Sequence, residues 1–147
     1  NQQGVASVFL TSQGSSFDLD VTVKATAHGT NISTTEPLEF RGITMAPITV
    51  DSSKFFEGGY YKVFVSTVLT ETSDGSFVDG AGIEFESTIG TMESPVSNVN
   101  GFGVATSIMR AQVTGSPQYN LVITSQLPNA NDISRQTDNL EIPGVKT

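Results

Sequence analysis

Phe17-Asp18-Leu19-Asp20-Val21-Thr22-Val23-Lys24-Ala25 alternates apolar and polar side chains. Successive side chains of a strand point to opposite faces, so this period of two predicts a β-strand with one face in a core and one in water. Tyr119, Leu121 and Ile123 repeat the pattern, and Ile83, Phe85 and Ser87 alternate in the same way with Glu84 and Glu86. Tyr60 to Leu69 is apolar on both faces, as a more buried central strand is. Runs rich in Val, Ile, Thr, Phe and Tyr are cut by Gly, Asn, Asp, Ser and Pro about every 8–12 residues, which is the spacing of an all-β sandwich or barrel. No helical period of useful length competes with it.

The chain also repeats itself. Asn1-Gln2-Gln3-Gly4-Val5-Ala6-Ser7 matches Asn100-Gly101-Phe102-Gly103-Val104-Ala105-Thr106, Ser16–Val23 overlays Ser116–Ile123, and Leu38–Ile43 overlays Leu140–Val145. The matches fall in order at offsets of 99, 100 and 102 residues. A period of about 100 residues is the size of one β-sandwich module, so the chain reads as part of one module followed by a whole one.

Phe85-Glu86-Ser87-Thr88-Ile89-Gly90-Thr91-Met92 resembles the F-S-T-x-x-G-x-L segment of the bacterial immunoglobulin-like domains found in tandem in invasin- and intimin-type surface proteins. Asn100 to Thr106 is similar to their N-G-V-A-T turn and strand, with Phe102-Gly103 inserted between Asn and Val. The resemblance covers most of residues 44–147 and implies an all-β, immunoglobulin-like antiparallel sandwich of bacterial, extracellular or cell-surface origin. By that resemblance, residues 4–12, 17–27 and 32–41 are the last three strands of an incomplete module, 1–43. Residues 44–51, 60–71, 82–88, 91–97, 103–112, 118–126 and 138–143 are the seven strands of a complete one, 44–147. Its core is expected to include Val63, Val65, Ile83, Phe85, Tyr119, Leu121 and Ile123. Gly42 marks a short junction without a Pro/Ser-rich linker, and hence a stiff, rod-like stack.

Three strands do not make a sandwich, because one apolar face and at least one sheet edge stay in water. Something must cover Val5, Val8, Leu10, Leu19, Val21 and Val23, which are the candidate assembly surface. The missing strands come from another polypeptide, the segment folds onto the complete module, or the chain is a piece of a longer repeat protein. The expected partner is therefore a protein, either a second copy or a companion subunit.

Composition narrows the chemistry. Fifteen Asp and Glu against seven Lys and Arg give a net charge of −8, which opposes nucleic-acid phosphates and anionic lipid. With no Cys and one His there is no thiolate nucleophile, zinc finger or histidine metal cluster. No apolar run is long enough to span a membrane, and Asn1-Gln2-Gln3 does not open a signal peptide. His28 falls in the Ala27–Thr30 turn, and the carboxylate pairs Asp18/Asp20 and Glu84/Glu86 have the spacing of solvated strand faces. No serine stands in a nucleophile motif, so the expectation is a protein without catalytic residues.

No cofactor is expected. The weak exception is calcium, for which Glu71, Asp74 and Asp79 offer hard oxygens in one loop without matching a known calcium-loop spacing. The function expected is structural, as a subunit of a cell-surface filament or rod completed by strands from a partner. The alternative is an adhesin that presents loops such as 71–81 or 127–138 to a receptor or glycan.

Overall fold

A computed structural model describes residues 4–10, 15–51, 55–130 and 132–146 of the chain. These residues carry fourteen strands and no helix: β1 (Leu19–Thr26), β2 (Ser33–Phe40), β3 (Ile43–Met45), β4 (Thr49–Val50), β5 (Phe55–Glu57), β6 (Tyr60–Glu71) and β7 (Gly82–Ser87) in the first half. The second half carries β8 (Thr91–Met92), β9 (Val96–Asn98), β10 (Val104–Gln112), β11 (Gln118–Leu121), β12 (Ile123–Gln126), β13 (Ser134–Gln136) and β14 (Leu140–Ile142).

β6 organises the first sheet. Its residues from Tyr60 to Val68 pair antiparallel with the whole of β10, from Val104↔Val68 to Gln112↔Tyr60, and its other edge takes β3, β4 and β5. Val63, Val65, Thr67 and Leu69 are buried on one face while Phe64, Ser66 and Val68 on the other are only half buried. The second sheet runs β13-β12-β7-β9, and β11 leaves it to pair with β14. One apolar cluster joins both sheets: Val63, Val65, Leu69, Ala105 and Met109 from the first, Ile83, Phe85 and Ile123 from the second, with Leu121 of β11 and Ile142 of β14. Two sheets sharing one core make residues 43–146 a β-sandwich.

Prolines and one asparagine explain where the strands depart from the expected spans. The span 44–51 divides into β3 and β4 at Pro47, and 91–97 divides into β8 and β9 around Pro95, since proline has no N–H for the ladder. After that break the chain changes sheets, β8 pairing with β10 and β9 with β7. The span 118–126 becomes β11 and β12 because Asn120 adopts a left-handed conformation with φ 66°. The Thr88 hydroxyl stabilises this bulge, donating to the Asn120 carbonyl and accepting the Val122 N–H, both at 2.9 Å. The bulge interrupts the period of two, so Leu121 and Ile123 are fully buried while Tyr119, expected in the core, is 61% exposed. β13 was not among the expected strands, because Ser134-Arg135-Gln136 is polar throughout and serves as a sheet edge.

The N-terminal part is a separate two-stranded sheet in which β1 pairs with β2 in continuous register from Leu19↔Phe40 to Thr26↔Ser33. His28 lies exposed in the turn between them, where Gly29 has φ 75° and the Ala27 carbonyl accepts from the Thr30 N–H and hydroxyl. Pro37 is tolerated in β2 because that strand has β1 on one side and no strand paired on the other among the described residues. The expected strand 4–12 is not formed over its described part: residues 5–10 adopt no regular structure, and its end at 11–12 lies outside the described residues. So does the expected turn at Asn1-Gln2-Gln3.

Phe85 is 1% exposed in the centre of the core, so Phe85→Ala should lower stability by about 3–5 kcal/mol in denaturant unfolding. Tyr119→Ala should change it by no more than about 0.5 kcal/mol. A comparable loss at both positions would contradict the assigned bulge.

Candidate functional site

The hairpin presents the apolar surface that the sequence singles out. Directly opposed residues of an antiparallel pair share a face, so Leu19 with Phe40 and Val21 with Leu38 form one apolar side that continues through Val23 and Ala25. Leu19 and Leu38 are exposed, and Val21 and Val23 are half buried. On the opposite side Asp20 faces Glu39, as befits a solvated surface. Val5, Val8 and Leu10 lie in the irregular segment before the hairpin, and Val8 is 85% exposed.

The internal repeat aligns these positions with residues of the sandwich. Val21, Val23 and Ala25 align with Leu121, Ile123 and Ser125, all fully buried, and Val8 and Leu10 align with the buried Ser107 and Met109 of β10. In the sandwich β12 is flanked by β7, and β10 lies between β6 and β8. No strand stands in the corresponding places beside β1 or residues 4–10 among the described residues.

A compact set of polar groups joins the hairpin to the sandwich. The Asp132 Oδ2 atom accepts the Ser16 N–H at 3.0 Å and the Ser16 hydroxyl at 2.7 Å. The Thr72 hydroxyl donates to the Ser16 carbonyl at 2.9 Å, and its N–H donates to the Gly42 carbonyl at 2.8 Å. Because Thr72 spends its one hydroxyl proton on Ser16, the 2.8 Å contact between the Thr44 and Thr72 hydroxyls is donated by Thr44. Within the hairpin's base the Asp18 carboxylate accepts the Gly42 N–H at 2.6 Å, and Ile43 N–H donates to the Ser15 carbonyl at 2.8 Å. Arg41 reaches Ser73 at 3.1 Å and Glu39 at 3.6 Å. A Cβ on Gly42 would stand 2.6 Å from the Phe17 carbonyl carbon, so only glycine lets these two chain segments lie side by side. The sequence marked Gly42 through its repeat at Gly144; Ser16, Thr72 and Asp132 carried no such signal, since polar loop residues look alike until they are brought together.

Other candidates remain apart. Among the described residues no three His, Asp or Glu side chains form a metal-sized group. The Asp74 carboxylate instead accepts the Ser76 N–H at 2.9 Å, and its hydrogen bonds from Ser76 hold it below the usual carboxylate range. Glu84 accepts from Gln126 at 3.0 Å on the β7–β12 sheet, whereas Asp18 serves the Gly42 junction, so the two carboxylate pairs face no common cleft. A groove of about 580 Å3 on the outer side of β6 and β10 is lined by Phe64, Ser66, Thr106 and Ile108, with Asp51 at its edge.

No family model and no curated protein matches the chain. Among solved structures, the D0-D1 domain of intimin is similar to it, with a TM-score of 0.56 and 12% identity over 84% of this chain. The match spans 62% of that chain's length. The likeness is one of fold, and it agrees with an immunoglobulin-like β-sandwich of the intimin type.

The bonds from Ser16 lower the Asp132 pKa from its ordinary value. A carboxyl whose pKa falls on folding stabilises the folded arrangement above its ordinary pKa, and the contribution is lost as pH drops through the lowered value. Asp132→Ala should therefore loosen the hairpin at neutral pH, giving it shorter rotational correlation times than the sandwich in 15N relaxation, with little change in sandwich stability. Acidifying the unaltered protein below the carboxylate range should reproduce that loosening. A hairpin that still tumbles with the sandwich in the variant would show that the carboxylate does not hold the junction.

Proposed function

We propose that the chain is a non-catalytic structural part of a bacterial cell-surface rod or filament, and that its N-terminal hairpin is the exposed half of an immunoglobulin-like module completed by strands from a partner chain. The supporting observation is the contrast within one polypeptide: Leu121 and Ile123 are fully buried, while the aligned Val21 and Val23 have no second sheet opposite them among the described residues. At about 25 cal/mol per Å2, covering Leu19, Val21, Val23, Leu38 and Phe40 together with Val8 and Leu10 is worth several kcal/mol. Adding a strand to β1 also gives partners to the backbone groups along its open edge.

A second reading is a receptor- or glycan-binding module. The observation that favours it is the exposed edge-to-face pair Phe77 and Phe102, with ring centroids 6.5 Å apart on neighbouring loops, a platform on which a ligand can stack. The two readings place the working surface differently, on the hairpin face for assembly and on the loop tips for adhesion.

Light scattering across a concentration series separates them. Assembly predicts species larger than 15.5 kDa that grow with concentration, and their loss in Val21→Asp or Val8→Asp with the sandwich still folded. A monodisperse monomer at every concentration, unchanged by either substitution, would contradict assembly through the hairpin. Loss of ligand capture in Phe77→Ala/Phe102→Ala, with hairpin variants unaffected, would support the second reading.

A further inference from the structure

We infer that the groove on the outer face of β4, β6 and β10 binds an uncharged saccharide ring. The site lies on the side of the sandwich, on residues separate from the hairpin face and from the Phe77–Phe102 pair, so it depends on neither reading of those surfaces. Its volume of about 580 Å3 falls within the range of small-molecule sites.

The pairing register builds the groove. Directly opposed residues of antiparallel strands share a face. Thr49 opposes Ser66 and Ser66 opposes Thr106, so three hydroxyls stand in a row across three adjacent strands. The next row holds Phe64 opposite Ile108, and the Asp51 N–H, donating to the Phe64 carbonyl at 2.9 Å, brings Asp51 to the end of that row. The row of small side chains leaves a hollow, and the row of large ones walls it. On the inward face the neighbouring hydroxyls are engaged: Thr67 donates to the Ala46 carbonyl at 2.8 Å and Ser107 to the Ser94 carbonyl at 2.7 Å. The outward hydroxyls of Thr49, Ser66 and Thr106 make no hydrogen bond to protein among the described residues.

These groups select the occupant. The backbone of β6 is already paired with β4 on one side and β10 on the other, so the floor has no open edge for an extended peptide, and recognition falls to side chains. A wholly apolar ligand would bury three hydroxyls without partners, at a cost for each. A phosphate, sulfate or uronate meets no cation in the lining, where the charged group is the Asp51 carboxylate. Lys62, the next residue of β6 on that face, is held by Glu57 at 2.9 Å and Glu93 at 3.1 Å. The net charge of −8 opposes acidic ligands in the same sense. A neutral sugar ring answers all of these features. Its hydroxyls donate and accept, matching Thr49, Ser66 and Thr106, and the Asp51 carboxylate accepts from several donors at once. Its C–H groups pack against Phe64 and Ile108, both half-buried, and remove more of that apolar surface from water.

The test is a 15N–1H correlation spectrum of the full chain, titrated in turn with the uncharged tetrasaccharides of glucose, galactose, mannose and N-acetylglucosamine. At least one of them should shift the Ser66, Thr106 and Ile108 amides saturably, and the tetramer of galacturonic acid should not. Ser66→Ala and Thr106→Val each delete one hydroxyl from the row, and each should weaken binding about tenfold. Both variants should keep the dispersed spectrum of the sandwich, because neither residue belongs to its core. Asp51→Asn, which leaves β6 and β10 unaltered, should weaken binding as well, whereas Tyr119→Ala on β11 should leave it unchanged. The inference is overturned if none of the uncharged tetramers shifts those amides, or if the hydroxyl variants bind as tightly as the unaltered chain. Equally tight binding of the galacturonate tetramer would also overturn it. So would shifts confined to the residues around Phe77 and Phe102, which would put the sugar on the loop tips instead.

Discussion

An amphipathic β-sheet is stable only when a second layer covers its apolar face and its strand edges are paired or protected. In residues 43–146 this condition is met. β6 carries Val63, Val65 and Leu69 over Ile83 and Phe85 of β7, and Ile123 of β12 closes the same core. In residues 15–42 it is met only in part. β1 and β2 satisfy each other along one edge, and the strip from Leu19 to Ala25 has no opposing sheet among the described residues. A two-stranded hairpin alone is marginal in water, so the anchorage of this one matters to its existence.

That anchorage is made of backbone as much as side chains. Gly42 brings two chain segments within van der Waals distance, which lets Ser16 and Gly42 present their backbone groups to Thr72 and Asp132 together. The result is a joint with hydrogen bonds on both sides of the crossing chain, unlike a flexible linker that would let the hairpin swing. The lowered pKa of Asp132, held by the bonds from Ser16, also makes this joint sensitive to acid.

Much of this was legible in the sequence. The alternation in Phe17–Ala25 and Ile83–Ser87 marked strands, and Val63, Val65, Ile83, Phe85, Leu121 and Ile123 occupy the core where that alternation put them. The repeat pairs Gly42 with Gly144, and Gly42 stands between β2 and β3. Misplaced features share a physical cause, a local backbone event that a two-residue period does not encode. Asn120 in a left-handed conformation turned Tyr119 outward, and Pro47 and Pro95 divided strands that composition alone ran together. The junction acceptors were invisible for another reason: Thr72 and Asp132 are distant in sequence from Ser16, and only the fold brings them to it.

Amide hydrogen exchange along β1 tests the central claim most directly. Alternate amides of Leu19–Thr26 point towards β2, and the remainder point to the open edge. The account predicts that the open-edge amides exchange rapidly in dilute protein and become protected when the chain assembles, while those bonded to β2 change little. Open-edge amides that exchange at the same rate in the dilute and the assembled protein would contradict completion of the hairpin by added strands.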